Sequence, residues 1–244
     1  MKPTRYRAER ACRATAGFSL VELLVVVSIV AVLAALAFPA LGRAIQAAHR
    51  NASAGNLREL GAGMLLFAGD NGGALPVAAY KYQPTGGTKQ FTTWDIELAP
   101  YLSATGPSGI IPILRDPGDT LPRLGAPANY ARTRSYAMVS NYGQGTGLYS
   151  YAATPPVPVP LAAVTSPAKT LLLVTYPANT NCEWSDSCSA VQSTSQLASG
   201  NTMYGGKLNF LYCDGHVDFL APADTIGKGT MANPKGGWTL TPED

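Results

Sequence analysis

Glu22 is the residue whose chemistry stands out, because it places a carboxylate at the start of a long apolar segment. The 22 residues from Leu20 to Leu41 include 19 apolar ones, and the exceptions are Glu22, Ser28 and Pro39. A charged side chain costs about 2.5–3.5 kcal/mol at the centre of a bilayer and less near its edge. An opposite charge beside it recovers much of that loss. The sequence therefore predicts that Glu22 has a positively charged partner.

The apolar segment is long enough to cross a membrane. As a helix, residues 20–41 would extend about 33 Å at 1.5 Å per residue, which matches a hydrocarbon core of about 30 Å. Five basic residues precede this segment. The positive-inside rule therefore places the leader in the cytoplasm and the rest of the chain on the other side of the membrane.

Residues 17–22 read GFSLVE and follow the basic leader. This arrangement resembles the prepilin leader-peptidase site of type IV pilins and type II secretion pseudopilins. The resemblance implies that prepilin peptidase cleaves between Gly17 and Phe18 and N-methylates the new terminus at Phe18. It also implies that Glu22 pairs with the Phe18 amine of a neighbouring subunit inside a filament.

Two other interpretations of the N-terminus stay open. An ordinary secretory signal also has a basic start, an apolar centre and a small-residue cleavage site. Residues 35–37, Ala-Leu-Ala, would serve as that site and would release a soluble protein that begins at Phe38. An uncleaved membrane anchor is the third interpretation, and the first residue of the mature chain distinguishes all three.

The charge of the chain resides mostly in its leader. The whole chain has a formal net charge of +3, and the leader, residues 1–17, contributes +4 of it, so the mature chain would have about −1. A nucleic-acid-binding domain needs a basic face. Nucleic acid is therefore an unlikely partner of the mature protein, and the lipid bilayer is a predicted one.

The sequence predicts an α+β fold in which a long N-terminal helix, membrane-spanning at its start, packs its C-terminal half on a small antiparallel sheet. The predicted parts are a leader (1–17), a transmembrane helix (18–41), the extramembrane part of the same helix (42–70) and a globular head (71–244). Glycines and an asparagine at 71–73 predict the end of the helix. Its head-facing stripe is predicted to comprise Ile45, Ala48, Ala52, Leu57, Leu60, Met64 and Phe67.

Shorter elements are predicted in the head from apolar spacing and β-forming residues. Residues 94–102 predict a short helix, and residues 134–140 and 170–176 predict strands. Residues 207–220 predict a hairpin with a type I′ turn at Asp214 and Gly215. This hairpin resembles a recurrent segment of large prepilin-like families, in which an apolar strand runs into Asp-Gly-His-Val.

His216 lies between two acidic residues, Asp214 and Asp218. Because strand residues alternate between faces, His216 and Asp218 could share one face and bind a metal or exchange a proton. We favour the simpler interpretation, in which Asp214 caps the turn and a half-exposed His216 forms local hydrogen bonds. No nucleophile or phosphate-binding motif is visible, so we expect no enzymatic activity and no catalytic residue.

The cysteines favour a small disulfide loop over a metal site. Cys182 and Cys188 lie six residues apart in a polar segment, and an exported head meets oxidising conditions, although pairings with Cys213 are alternatives. We expect no bound metal or cofactor as a rule. The resemblance to type II secretion subunits leaves calcium possible, with Glu183 and Asp186, or an Asp116–Asp119 pair, as weak candidate ligands.

Four arginines, at 115, 123, 132 and 134, raise the question of a DNA-binding patch. Asp116 and Asp119 lie among them in sequence. We therefore predict a mixed, salt-bridged surface rather than a basic one.

Taken with the resemblance, these features indicate a structural subunit of a type II secretion pseudopilus or a type IV pilus-like filament. The implied partners are prepilin peptidase, copies of this chain, other pilins or pseudopilins, and an inner-membrane assembly platform. The head would be periplasmic until the subunit enters a filament. The alternative is a minor pilin that acts as a binding module in DNA uptake or adhesion.

Replacement of Gly17 by a bulky residue tests the assigned cleavage site. We expect uncleaved precursor to accumulate on a gel, because the resemblance puts the glycine immediately before the scissile bond. N-terminal sequencing of the unmodified protein should begin at Phe18. Normal processing of the Gly17 variant, or a mature chain that begins at Phe38, would contradict the assignment.

Overall fold

A computed structural model describes residues 19–82, 90–102, 111–123, 133–139, 158–181, 190–198, 203–240 and 242. The chain divides into two compact units, Met1–Ile45 and Gln46–Asp244. The helices are α1 (Leu20–Asp70), α2 (Trp94–Leu98) and α3 (Thr194–Ala198). The strands are β1 (Ala79–Tyr82), β2 (Gln90–Thr93), β3 (Tyr136–Val139), β4 (Leu171–Thr175), β5 (Ala190–Val191), β6 (Leu208–Tyr212) and β7 (Val217–Leu220).

Helix α1 ends where the glycines predict. Gly72 has a φ of +64° and Gly73 a φ of +81°, a backbone region that glycine enters without a steric cost. The amide of Gly73 donates to the carbonyl of Ala68 at 2.7 Å, which is the six-to-one bond of a Schellman motif. The side chain of Asn71 donates to the carbonyl of Phe67 at 2.8 Å. These bonds satisfy carbonyls that the end of the helix would otherwise leave unpaired.

The head contains one five-stranded sheet and one two-stranded sheet. The order in the larger sheet is β5-β3-β4-β6-β7. The pairs β3–β4, β4–β6 and β6–β7 are antiparallel, whereas β3–β5 is parallel. The fold is therefore α+β as predicted, but the sheet is mixed rather than antiparallel. Strand β5 has only two residues, too few for a sequence pattern to reveal it.

The second-unit part of α1 packs on this sheet through a narrower face than the sequence predicted. Leu57, Leu60 and Met64 are fully buried as expected, and each contributes about 1.5–3 kcal/mol of apolar burial. Ala48 and Ala52 are exposed instead. Other α1 residues that the prediction omitted complete the buried face: Ser53, Gly61, Gly63 and Ala68.

Two glycines of α1 allow this close packing. A Cβ at Gly61 would lie 3.0 Å from a methyl of Leu211 in β6, and one at Gly63 would lie 3.0 Å from a methyl of Leu102. Both glycines weaken the isolated helix by roughly 1 kcal/mol relative to alanine. Glycine fits at both positions because a larger side chain would push α1 away from Leu211 and Leu102.

The opposite face of the sheet is also covered. Leu208 and Phe210 of β6 pack with Trp238 and Leu197 in a second core that lies away from α1. Neighbouring residue Leu211 belongs to the core that includes α1. Side chains of β6 therefore alternate between two apolar cores, one on each face of the sheet. Trp238, near the C-terminus, is part of the second core.

The β6–β7 hairpin is confirmed, but its turn differs from the prediction. A type I′ turn needs positive φ at both central residues, whereas only Gly215, with a φ of +92°, meets that condition. The amide of Gly215 donates to the carbonyl of Tyr212, and the amide of Tyr212 donates to the carbonyl of His216, both at 3.0 Å. These bonds close a three-residue loop, residues 213–215, in which the positive φ of Gly215 gives a glycine bulge.

The remaining predicted elements are present with shorter bounds. The predicted helix at 94–102 is α2 followed by a 3-10 turn at Ala99–Tyr101. The predicted strands at 134–140 and 170–176 correspond to β3 and β4. Residue 140 lies outside the described residues.

Gly61→Leu tests the close packing of α1 on the sheet. We expect it to lower the free energy of unfolding by about 1–3 kcal/mol, because the added side chain meets Leu211. Urea denaturation of the detergent-solubilised chain measures this effect.

Gly55→Leu is the matched control, since a Cβ at Gly55 would meet nothing within 4 Å. We expect no loss of stability there, because leucine favours a helix more than glycine does. Equal losses in the two variants would contradict the packing role of Gly61.

Candidate functional site on the N-terminal helix

The first turn of α1 is closed by a reciprocal pair of hydrogen bonds between Ser19 and Glu22. The amide of Ser19 donates to Oε2 of Glu22 at 2.9 Å, and the amide of Glu22 donates to Oγ of Ser19 at 3.1 Å. This is a capping box, with Ser19 as the N-cap. Glu22 therefore has a partner within its own chain, which the sequence analysis missed although Ser-x-x-Glu is a recognisable signal.

The capped Glu22 carboxylate remains accessible to a second, positively charged group. Its carboxylate lies at the positive end of the helix dipole, where a negative charge is stabilised. Both residues of the capping box are exposed, so a second group can approach. Gly17 and Phe18 lie outside the described residues. Cleavage between them and pairing of the Phe18 amine with Glu22 therefore stay predictions.

After this cap, α1 is apolar and uncovered. Its N-terminal part is long and apolar enough to cross a membrane, and none of that window is buried within the protein. The hydroxyl of Ser28 donates to the carbonyl of Val25 at 2.7 Å, so this polar group is satisfied inside the helix. The exposed large apolar residues before position 46 are Leu20, Val21, Leu23, Leu24, Val25, Val26, Val27, Ile29, Val30, Val32, Leu33, Leu36, Phe38, Leu41 and Ile45.

In the second unit, α1 exposes a row of residues spaced alternately by four and three positions. We call this row the α1 seam: Ala48, Ala52, Gly55, Glu59, Ala62, Leu66 and Gly69. The same spacing continues in the sequence through Leu20, Leu24, Val27, Ala31, Ala34, Phe38, Leu41 and Ile45. Such spacing marks a surface that packs against another helix, and its small residues permit close approach of the two backbones.

Asp214, His216 and Asp218 form a local cluster at the end of the hairpin. Nδ1 of His216 lies 2.6 Å from Oδ1 of Asp214, and Nε2 lies 3.6 Å from Oδ2 of Asp218. The amide of His216 also donates to Asp214 at 3.0 Å. Burial raises the pKa of the Asp214 carboxyl, but hydrogen bonds from His216 and from the Asp214 backbone, with the electrostatic interaction with His216, lower it by more. The imidazole stacks on Tyr212 at 4.1 Å. This confirms the turn-capping interpretation.

The predicted salt bridging around Asp116 and Asp119 is present, but its predicted surface position is wrong, because both aspartates are buried. Asp119 pairs with Arg123 and accepts a hydrogen bond from Ser135 at 2.6 Å. These contacts engage the Asp119 carboxylate within the head, and calcium binding by Asp116 and Asp119 stays a prediction. Asp116 lies in a cluster with Tyr204. Apolar residues that precede Asp116 in sequence, Ile111 and Leu114, are buried, and the two aspartates are buried with them.

The arginines do not form a DNA-binding patch in the described residues. Arg134 is fully buried and its guanidinium lies 2.6 Å from Asp95, itself fully buried. The side chain of Arg123 is only 6% exposed. Both guanidinium groups are paired with carboxylates inside the head, as a buried charge requires. Arg132 lies outside the described residues.

The disulfide and calcium candidates in the head stay predictions. Cys182, Cys188, Glu183 and Asp186 lie outside the described residues. Cys213 is buried, and burial and the nearby Asp214 raise the pKa of its thiol to about 12, which makes it a poor nucleophile. Among the residues that the structure describes, no three His, Cys, Asp or Glu side chains converge on a metal position.

Comparison with known proteins identifies the N-terminal region. Residues 12–38 match the family model for the prokaryotic N-terminal methylation motif. This is the prepilin-type signature, and it is consistent with a pilin or pseudopilin. No curated protein and no solved structure matches the chain significantly.

Ser19→Ala tests the capping box. We expect amide exchange in the first turn of α1 to accelerate about fivefold, because loss of an N-cap costs about 1 kcal/mol. Hydrogen–deuterium exchange of the detergent-solubilised chain measures it. Ser28→Ala is the control, since that hydroxyl bonds within the helix and does not cap it; a cap is ruled out if both variants exchange like the unmodified chain.

Proposed function

We propose that this chain is a structural subunit of a filament of the type IV pilus or type II secretion pseudopilus class. The observation that carries the proposal is the helix α1, which begins with a prepilin-type methylation motif and exposes an apolar surface over most of its length. Prepilin peptidase would remove residues 1–17, and the mature helix would be stored in the inner membrane before assembly.

The apolar surface of α1 requires a nonaqueous environment in each state of the protein. In the membrane, lipid covers residues 20–41. In a filament, the helices of neighbouring copies would cover them, and each square ångström so buried contributes about 25 cal/mol. The head covers only the Leu57, Leu60 and Met64 face of the second-unit part, so the α1 seam stays available to a neighbouring helix.

Glu22 would connect the two states. While the subunit is in the membrane, Ser19 and the helix dipole stabilise the carboxylate near the bilayer edge. In the filament, the methylated Phe18 amine of a neighbouring subunit would approach the exposed carboxylate. An ion pair in apolar surroundings gives orientation, because a misplaced neighbour leaves both charges unpaired.

Glu59 gives the α1 seam a polar reference point. It is the one charged residue among the described positions of the seam. A single polar residue in an apolar helix seam restricts the alignments that two helices can adopt. We therefore expect the packing of neighbouring helices to place a polar or positively charged group opposite Glu59.

A minor pilin with a ligand-binding head is the second candidate. One open cleft of about 270 Å³ is bordered by Lys169, Tyr212, His216 and Asp218. Its mixed charge does not favour DNA, and the burial of Arg123 and Arg134 removes two of the proposed DNA contacts.

Glu22→Ala tests the filament role. We expect normal membrane insertion and cleavage, but about tenfold less of the chain in sheared filaments, because each lost contact of about 1.4 kcal/mol lowers association tenfold. Immunoblots of membrane and sheared fractions measure insertion, processing and assembly separately.

Glu22→Gln separates the charge of Glu22 from its capping role. Glutamine at this position can still accept the Ser19 amide, as capping boxes use either residue, but it cannot pair with an ammonium group. We expect this variant to assemble as poorly as Glu22→Ala. Normal assembly of Glu22→Gln would contradict the proposed role of the carboxylate charge, whether or not Glu22→Ala assembles.

A further inference from the structure

A buried carboxylate lies where the second-unit part of α1 meets the head. Asp116 is fully buried. Its Oδ1 accepts hydrogen bonds from the amide of Gly118 at 2.8 Å and from the hydroxyl of Tyr204 at 2.5 Å. Its Oδ2 is equally buried and has no hydrogen-bond partner among the described residues. Such an oxygen in a folded protein needs an explanation.

Helix α1 supplies polar groups to the same place. Ser53 is fully buried, lies near the Asp116 carboxyl, and has its Oγ 3.2 Å from the hydroxyl of Tyr136 in β3. One turn further along, Nδ2 of Asn56 donates to the carbonyl of Arg115 at 3.0 Å. These contacts tie α1 to the loop that carries Asp116 and to the central sheet.

The backbone at Tyr204 is strained to make its contact with Asp116. Tyr204 has a φ of +49° and is the one non-glycine residue with positive φ among those described. Its hydroxyl lies so close to Gly118 that a Cβ there would be 2.5 Å away. Strain of this kind persists only where surrounding contacts compensate for it. The hydrogen bond to Asp116 is one such contact, and the edge-to-face contact between Tyr204 and Phe219 is another.

The surroundings of Asp116 oppose its negative charge. Burial raises the pKa of the Asp116 carboxyl, and the nearby Ser53 hydroxyl, the Tyr204 hydroxyl and the Gly118 amide lower it by less, so the net shift is upward. The titratable groups that face it are Tyr204 from the turn before β6, Tyr136 from β3 and Asp119 from its own loop.

Among these neighbours, Asp119 is the other carboxylate, and its electrostatic repulsion also raises the pKa of the Asp116 carboxyl. Arg123 pairs with Asp119 and not with Asp116. Burial raises the pKa of both phenols, so Tyr136 and Tyr204 stay protonated. The groups that α1 contributes, Ser53 and Asn56, do not titrate.

We propose that Asp116 and Ser53 form a proton-sensitive latch that fastens the extramembrane part of α1 to the head. When Asp116 is protonated, the proton on Oδ2 can be donated to the hydroxyl of Ser53, which in turn donates to Tyr136. When Asp116 is ionised, Oδ2 can no longer donate to Ser53, and the buried charge has no cationic partner among the described residues. The latch therefore holds at pH values below the raised pKa of Asp116 and loosens as pH rises through it.

The direction of the pH dependence follows from the raised pKa of the Asp116 carboxyl. A group whose pKa is higher in the folded state contributes stability below its unfolded pKa and loses that contribution as pH rises through the folded pKa. For Asp116 the window runs upward from the ordinary aspartate pKa near 4. In this pH window, the equilibrium constant for opening of the latch should increase by up to about tenfold per pH unit, because opening releases one proton.

Hydrogen–deuterium exchange of the full chain in detergent tests the proposal. Exchange at residues 53–57 and 115–119, corrected for intrinsic rates, should show this one-proton increase with pH. Asp116→Asn should remove it, since the amide keeps the acceptor for Tyr204 and donates to Ser53. Glu59→Gln, an exposed carboxylate on the same helix, should leave it intact. A pH dependence that persists in Asp116→Asn would overturn the latch.

A measurement without mutation covers the case in which Asp116→Asn fails to fold. The ¹³C signal of the Asp116 carboxyl should titrate above the ordinary aspartate range, together with the amide signals of Ser53 and Asn56. Titration at the ordinary aspartate pH, or without any change at α1, would sink the idea. The latch does not depend on filament assembly, so these results and the assembly results are independent.

Discussion

The apolar surface that α1 leaves uncovered is the constraint on which the rest of this protein depends. The head covers one face of the second-unit part, and Leu66 on the opposite face remains 59% exposed. In the N-terminal part of α1, none of the membrane-length apolar window is buried within the protein. A surface of this size is stable only in lipid or against other apolar surfaces. The basic leader, the methylation motif and the regular seam are all consistent with a helix that passes from one such environment to the other.

Charged groups in apolar surroundings need partners, and the structure supplies them in different ways. Glu22 is the one charged residue of the apolar segment, and its helix cap gives it local hydrogen bonds before any neighbour arrives. In the head, Asp95 and Asp119 are buried with arginine partners. Asp116 differs, because its environment contains neutral hydroxyls and one amide in place of a cation. It is therefore the buried carboxylate whose protonation state can change the structure.

Several elements could be predicted because their causes are local. The length of α1 follows from an unbroken apolar and small-residue sequence that ends at Asn71 and two glycines. The β6–β7 hairpin follows from two alternating runs around Asp214 and Gly215. The turn type was wrong because positive φ at Gly215 alone satisfies the loop. The mixed sheet was missed because β5 is defined by its neighbour β3 and not by its own two residues.

The amino-acid sequence by itself determined the membrane-spanning capacity of α1, the position of the methylation motif and the α+β class, since each depends on residues within a few turns of one another. Tertiary structure alone decided which α1 residues face the head and that Arg134 lies in the interior. It also decided that Asp116 meets Ser53 and Tyr204. These outcomes depend on packing between segments far apart in the chain, where burial changes the energy of a charge more than its sequence neighbours do.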